Sequence, residues 1–296
     1  MAALPTQPTE HSWRSPLLGE LDHVSTDQGQ MQYFRRGEGP VLVFCHGWLA
    51  NANLWRNVVE ELAACFTCIT FDLPLGAHRL AMDPDSDLTP TSCGALISTA
   101  LAGLDLQQVT LVGNDSGGAY SQIAVECDLD RVARLVLNSC ETPWGKFPPA
   151  PFDGLPEIAK DPAALAQLFG ALRDRAIRLT PPAFGLLIKH PIEDLVSDSY
   201  ALPCVCDPGI LLDASKVIST ASSPPVHDAG QRLIADYRGP VLFAWSPEDQ
   251  VFPPAEAERY AAALHDGRVA WIDDAYSFTP EDQPQRLAEE IGRFAM

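Results

Sequence analysis

An α/β fold with a mostly parallel sheet and a helical insertion is what this sequence predicts, on three observations. Short continuous apolar runs such as "PVLVFCHG", "FTCITFDLP" and "QVTLVGN" read as strands buried on both faces. Stretches with helical spacing, such as "NLWRNVVEELAAC", stand between them, and strands alternating with helices build a parallel sheet covered on both sides. The alternation then lapses over residues 141–237 and resumes with "GPVLFAWSPED". With 296 residues, 46% of them hydrophobic, the chain is long enough for one large core.

Residues 1–18 read as a loose arm, with no basic start or apolar stretch of a secretory signal. "LDHVSTDQ" and "GQMQYFRRGEG" partly alternate polar and apolar residues, which predicts a β-hairpin. "PVLVFCHG", "FTCITFDLP", "QVTLVGN" and "VARLVLNS" are the next strands, and "TPTSCGALISTALAGLDL" is a helix opened by Thr and Ser caps. In the insertion, "DPAALAQLFGALRDRAIRL" and "PGILLDASKVISTA" are helical, separated by proline-rich joints such as "PPAP" and "SSPP". The helix "PAEAERYAAALHD", the strand "RVAWIDDA" and the helix "PQRLAEEIGRFA" close the chain. The expected division is an arm (1–18), a core (19–140 and 238–296) and an inserted helical segment (141–237).

With 39 acidic against 20 basic residues and a formal charge of −19, the surface argues against nucleic acid and anionic membranes as partners. No run reaches the roughly 18 apolar residues of a membrane span. Of the eight cysteines, Cys65 and Cys68 are read as core packing, and Cys204 and Cys206 as two thiols on a loop. No metal-ligand constellation, phosphate loop or dinucleotide fingerprint is present, so no cofactor is expected. A cytoplasmic protein with reduced thiols fits these features, and a homo-oligomer stays open.

The stretch that points to chemistry is "VTLVGNDSGGAYSQIAV", a strand, a sharp turn and a helix. At such an elbow the residue at the tip is strained, and the residues two before and two after it must be small. With Asp115 at the tip they are Gly113 and Gly117; with Ser116 there they are Asn114 and Gly118. Asparagine fits the crowded position poorly, which selects Asp115.

At these residues the sequence resembles the α/β-hydrolase fold superfamily over nearly its whole length, through "FCHGWLANANLWRNVVEEL", "LVGNDSGGAYSQIAV", "PVLFAWSPEDQVFP" and "DDAYSFTPEDQPQRLAEEI". An aspartate at the elbow resembles the haloalkane dehalogenase and epoxide hydrolase branch. That resemblance implies that the Asp115 carboxylate attacks carbon to form an ester, which activated water cleaves, in a pocket for a small hydrophobic molecule closed by a helical cap. It implies backbone oxyanion donors at Trp48 and Ser116, a structural His46, and Asp249 as the acid that orients a histidine, although Asp249 also reads as a capping carboxylate. The histidine itself is missing: Ser277 stands in its place, beside Tyr276, and serine cannot take a proton from water near neutral pH. His78 follows a strand at the sheet edge where such sites form, and His190 and His227 lie in the insertion; these are the substitutes. The halide donors of a dehalogenase reduce to the Trp48 indole, and the ring-protonating tyrosines of an epoxide hydrolase to Tyr200, with Tyr237 and Tyr276 as further options. Phe147, Phe184, Trp144 and Trp48 are candidate pocket lining. Three functions remain: a hydrolase using Asp115 as nucleophile, a lyase, isomerase or cyclase using it as acid or base, and a ligand-binding protein with a decayed site.

Overall fold

A computed structural model describes residues 10–296. Eight strands form one sheet: β1 (Glu20–Thr26), β2 (Gly29–Arg36), β3 (Val41–Cys45), β4 (Thr67–Asp72), β5 (Val109–Asn114), β6 (Val132–Asn138), β7 (Val241–Trp245) and β8 (Gly267–Trp271). Their spatial order is β1-β2-β4-β3-β5-β6-β7-β8. The expected hairpin pairs β1 with β2 antiparallel, β2 meets β4 antiparallel, and every later pairing is parallel. Strands β4, β5 and β7 are buried at every residue, as their unbroken apolar runs require, whereas the edge strand β8 is only partly covered.

The helices are α1 (Arg56–Leu62), α2 (Pro90–Gly103), α3 (Ser116–Cys127), α4 (Leu155–Ala159), α5 (Pro162–Gly170), α6 (Arg175–Arg178), α7 (Asp194–Ala201), α8 (Pro203–Cys206), α9 (Pro208–Ser219), α10 (Ser223–Asp236), α11 (Pro254–Ala263), α12 (Thr279–Asp282) and α13 (Pro284–Ala295). Helices α4 to α10 all fall between β6 and β7, with no strand among them. The Thr89 side chain caps α2 as expected, accepting from Ser92 N, with Pro90 at its first position.

Local readings are corrected at five places. The single helix expected over "DPAALAQLFGALRDRAIRL" is divided into α5, a 3-10 turn and α6, because the Asp174 side chain caps a new helix at Ala176 N. The "SSPP" joint is the start of α10, whose prolines occupy the first turn, where the missing N–H costs nothing. Cys204 and Cys206 lie on α8, one buried and one exposed, and both are free thiols. The arm falls partly outside the described residues, but its described end is docked: Leu18 is fully buried, and Arg14 makes a buried ion pair with Asp72 at 2.9 Å. Of the cysteine pair, Cys68 is buried in β4 and Cys65 is exposed.

Candidate active site

The carboxyl ends of the parallel strands lie at one edge of the sheet, and the candidate residues lie on loops that leave from there. Trp48 follows β3, Asp115 follows β5, Glu141 follows β6, Asp249 follows β7 and Ser277 follows β8. This edge is where open parallel sheets gather their chemistry.

Asp115 is the residue at the elbow. Its φ of 54° lies in the left-handed region, which a non-glycine residue occupies at a cost of about 1–3 kcal/mol. The surrounding packing enforces it. A Cβ on Gly113 would stand 2.6 Å from Gly117 O, and one on Gly117 would collide with His46 O. The turn therefore closes only with the two glycines that the sequence supplies. Asp115 N donates to Ser139 O at 3.0 Å, which ties the elbow to the loop after β6.

The carboxyl group of Asp115 is held at one end. Ser116 N donates to Oδ1 at 2.7 Å, and Oδ2 accepts no hydrogen bond. A Cβ on Gly47 would come within 2.5 Å of Oδ2, so the side chain has its position only because residue 47 is glycine. Burial, and secondarily the charge of Asp249, push the Asp115 carboxyl up to about 7, against the pull of the Ser116 N–H. The second expected oxyanion donor points elsewhere: Trp48 N donates to Ser116 Oγ at 2.9 Å.

Asp115 opens into a cavity of about 150 Å³. That is close to the size of an apolar cavity that holds benzene in a well-studied lysozyme variant. Its walls are mainly aliphatic and aromatic, drawn from the loops after β3 and β6 and from α4, α5, α6 and α9. Phe147, Phe184 and Trp48 line it as expected. Trp144 does not, since it packs on Tyr260 and under the Arg259 guanidinium. Leu168 and Ile177 line the cavity while being 42% and 40% exposed, which marks an apolar mouth.

The acid and the serine pair with each other. Ser277 Oγ donates to Asp249 Oδ1 at 2.8 Å, and the same oxygen accepts from Val251 N and Phe252 N. Asp249 therefore makes both contacts that the sequence allowed, one to residue 277 and one to its own loop. Burial raises its pKa. Ser277 is fully buried, and Asn114 Nδ2 donates to its backbone oxygen at 2.9 Å.

No histidine lines the cavity among the described residues. His78 is 2% exposed, with Nε2 3.0 Å from Asp213 Oδ2 of α9 and Nδ1 accepting from Gly76 N. Both its nitrogens are occupied, and His78 does not line the cavity. His190 bonds Asp274 at the surface, and His227 bonds Gly145 O. His46 is structural in its contacts: its ring accepts from Leu73 N at 2.9 Å, and burial lowers its pKa to about 4, so it is neutral.

The expected substrate donors are also placed elsewhere. The Trp48 indole N–H donates to Tyr120 Oη at 3.0 Å. Tyr200 is buried and donates to Glu281, which also holds Arg56. Tyr237 donates to Val132 O, and Tyr276 lies beside the Lys189 ammonium, outside the cavity.

The residue that sequence reasoning missed is Glu141. It is 3% exposed, lines the same cavity as Asp115, and neither of its carboxyl oxygens has a hydrogen-bond partner. Burial and the Asp115 charge push its pKa well above the usual carboxylate range. A sequence signal existed, since Glu141 closely follows the end of a buried strand, as Trp48 and Asp115 do. No group of metal-ligating side chains occurs among the described residues, and no helix there is long and apolar enough to cross a membrane.

Three comparisons bear on this geometry. Haloalkane dehalogenase 2 of Mycobacterium tuberculosis is 23% identical over 278 residues, covering 90% of this chain and 91% of its own. A soluble epoxide hydrolase of Corynebacterium sp. is 34% identical over 110 residues, which is 36% of this chain and 37% of that one. The crystal structure of an alpha/beta hydrolase fold protein from Burkholderia ambifaria superposes with a TM-score of 0.76 at 22% identity, covering 93% of this chain and 97% of that one. Residues 40–284 match the alpha/beta hydrolase fold family itself. A parallel sheet with a strained carboxylate at its central elbow, matched over this length, makes the chain a member of the alpha/beta hydrolase fold family.

Proposed function

We propose that this protein is an enzyme whose Asp115 carboxylate attacks an electrophilic carbon of a small hydrophobic molecule: an ester, an epoxide or an alkyl halide. The observation that carries this reading is the Asp115 side chain itself, with Oδ1 held by an amide and Oδ2 unpaired in an apolar cavity. Attack by Oδ2 forms an ester on Asp115. Oδ1 is then the carbonyl oxygen, already bonded to the Ser116 N–H that stabilises the oxyanion when water adds. Helices α4 to α10 act as the cap, since several of them supply the wall opposite the elbow. The relatives named for halides and epoxides support an electrophilic carbon as the target.

A second reading is favoured by one observation. With its carboxyl pushed up to about 7 and no histidine on the cavity wall, Asp115 also has the protonation state of a general acid or base. A lyase, isomerase or cyclase reaction on an apolar molecule would use it so.

Intact-protein mass spectrometry after exposure to small alkyl halides, epoxides and esters separates these readings, with Asp115→Asn as control. An adduct, or consumption of the compound, that is lost in Asp115→Asn is the expected result. The absence of both with every compound would remove the nucleophile and leave proton transfer or simple ligand binding.

A further inference from the structure

A buried carboxyl with no hydrogen bond is costly to keep, on the order of several kcal/mol for the charged form. Glu141 is such a group, and its backbone is held firmly: Gln122 Nε2 donates to Glu141 O at 2.9 Å, and the Asp115 amide bonds Ser139 O two residues earlier. The residue borders two spaces, while both of its carboxyl oxygens are closed to solvent. On one side is the apolar cavity with Asp115; on the other is a cavity of about 250 Å³ bordered by Thr142, Lys146 and Glu256. A carboxyl group without a partner, in a residue that borders the cavity of Asp115, has its hydrogen-bonding capacity left for what that cavity binds.

The other polar side chains of the apolar cavity do not move protons near neutral pH. Ser116 Oγ accepts from Trp48 N, and Thr180 Oγ1 donates to Ile177 O at 2.6 Å. Asp115 is the attacking group. Glu141 remains.

We propose that Glu141 is the proton carrier of this site, protonating the oxygen that leaves when Asp115 opens a three-membered cyclic ether, then accepting the proton of the water that cleaves the resulting ester. The inference rests on Asp115 being the nucleophile. In the first step Asp115 Oδ2 bonds to a ring carbon, the ring C–O bond breaks, and the Glu141 proton passes to that oxygen. This leaves a hydroxyalkyl ester and a Glu141 carboxylate. In the second step water adds to Asp115 Cγ and gives its proton to Glu141. The bond between Cγ and the alkyl oxygen breaks, the alkoxide takes the second proton of that water from the hydroxyl now on Cγ, and a diol leaves. The net reaction is epoxide plus water to diol, and both carboxyl groups return to their first state.

The same cavity is poorly built for a departing halide, which needs N–H donors. The Trp48 indole is bonded to Tyr120, and the Trp48 and Ser116 amides are bonded to Ser116 Oγ and Asp115 Oδ1. A neutral carboxyl group suits an oxygen leaving group instead.

The test compares two probes on the full chain, 1,2-epoxyhexane and 1-bromohexane, because only the first needs a proton to leave. In Glu141→Gln, ring opening should fall by about 10²-fold or more, and any hydroxyhexyl ester that forms should persist by intact mass. Alkylation of Asp115 by 1-bromohexane, slow for want of halide donors, should keep its wild-type rate in that variant, which shows that fold and nucleophile are intact. Ring opening and ester cleavage at the wild-type rate in Glu141→Gln would overturn the proposal while leaving Asp115 in place. Failure of the wild type to react with either probe would overturn the Asp115 reading and this proposal with it.

Discussion

Asp72 and Glu141 are both carboxylates at the carboxyl edge of the sheet, each 3% exposed, yet their surroundings are opposite. Asp72 accepts from the Arg14 guanidinium at both oxygens, from Ala52 N at 3.2 Å and from Arg79 N at 3.2 Å. Burial alone would raise its pKa; Arg14 and the surrounding hydrogen bonds outweigh it and hold it below the usual carboxylate range. Glu141 has no donor at either oxygen, and its pKa moves up. The first is a structural clamp that docks the N-terminal segment. The second is a polar group left uncompensated beside the strained elbow. An uncompensated buried group at a cavity wall is where a fold departs from what stability alone would select.

The largest effect expected from breaking this contrast is on the compensated side. Asp72→Asn leaves the Arg14 charge buried without its partner and should cost about 3–5 kcal/mol, read by chemical denaturation. Glu141→Gln, which removes no hydrogen bond, should fall well short of that loss.

The next test supplies the uncompensated side with a base. Ser277→His places an imidazole between Asp249 and the cavity. In a Glu141→Gln background, cleavage of an Asp115 ester should accelerate about 10²-fold or more over Glu141→Gln alone, measured by decay of the adduct mass. An unchanged decay in a variant of native melting temperature would show that the cavity does not use residue 277.

The smallest effect is on the pH dependence of stability, and its sign differs between the two sides. A carboxyl with a raised native pKa binds more protons folded than unfolded. Its contribution therefore declines as pH rises from the unfolded value near 4 through the native one. For Asp115 that window runs from about 4 to about 7. Between pH 5 and 8 the wild type should lose roughly 1–3 kcal/mol relative to Asp115→Asn. Asp72 behaves oppositely: its contribution is present above about 4 and is lost as pH falls through its depressed native value. Equal slopes for the wild type and Asp115→Asn would deny the raised pKa.

The sheet and the elbow were legible because their signals are local. Buried strands declare themselves as apolar runs, and Gly113, Asp115 and Gly117 sit within five residues. The ring of loops around them depended on side-chain direction, which spacing does not encode. His78 stands at the predicted strand end, but its partner Asp213 is 135 residues away, and His78 does not line the cavity. Tyr200 lies in the insertion as read, yet Glu281 draws its hydroxyl away. Glu141 is the converse case: its place after a buried strand was legible, but its significance lies in contacts it does not make, and "NSCETPWG" gives no sign of that.

One bond at the elbow has a consequence for how this site can change over generations. Asn114, next to Asp115, grips residue 277 by its carbonyl oxygen, a group that every amino acid offers. The placement of Asp115 is thus indifferent to the side chain at 277. A lineage carrying this scaffold can discard or regain a proton acceptor there by a single codon change without misaligning Asp115, so reactivity and architecture at this edge are inherited separately.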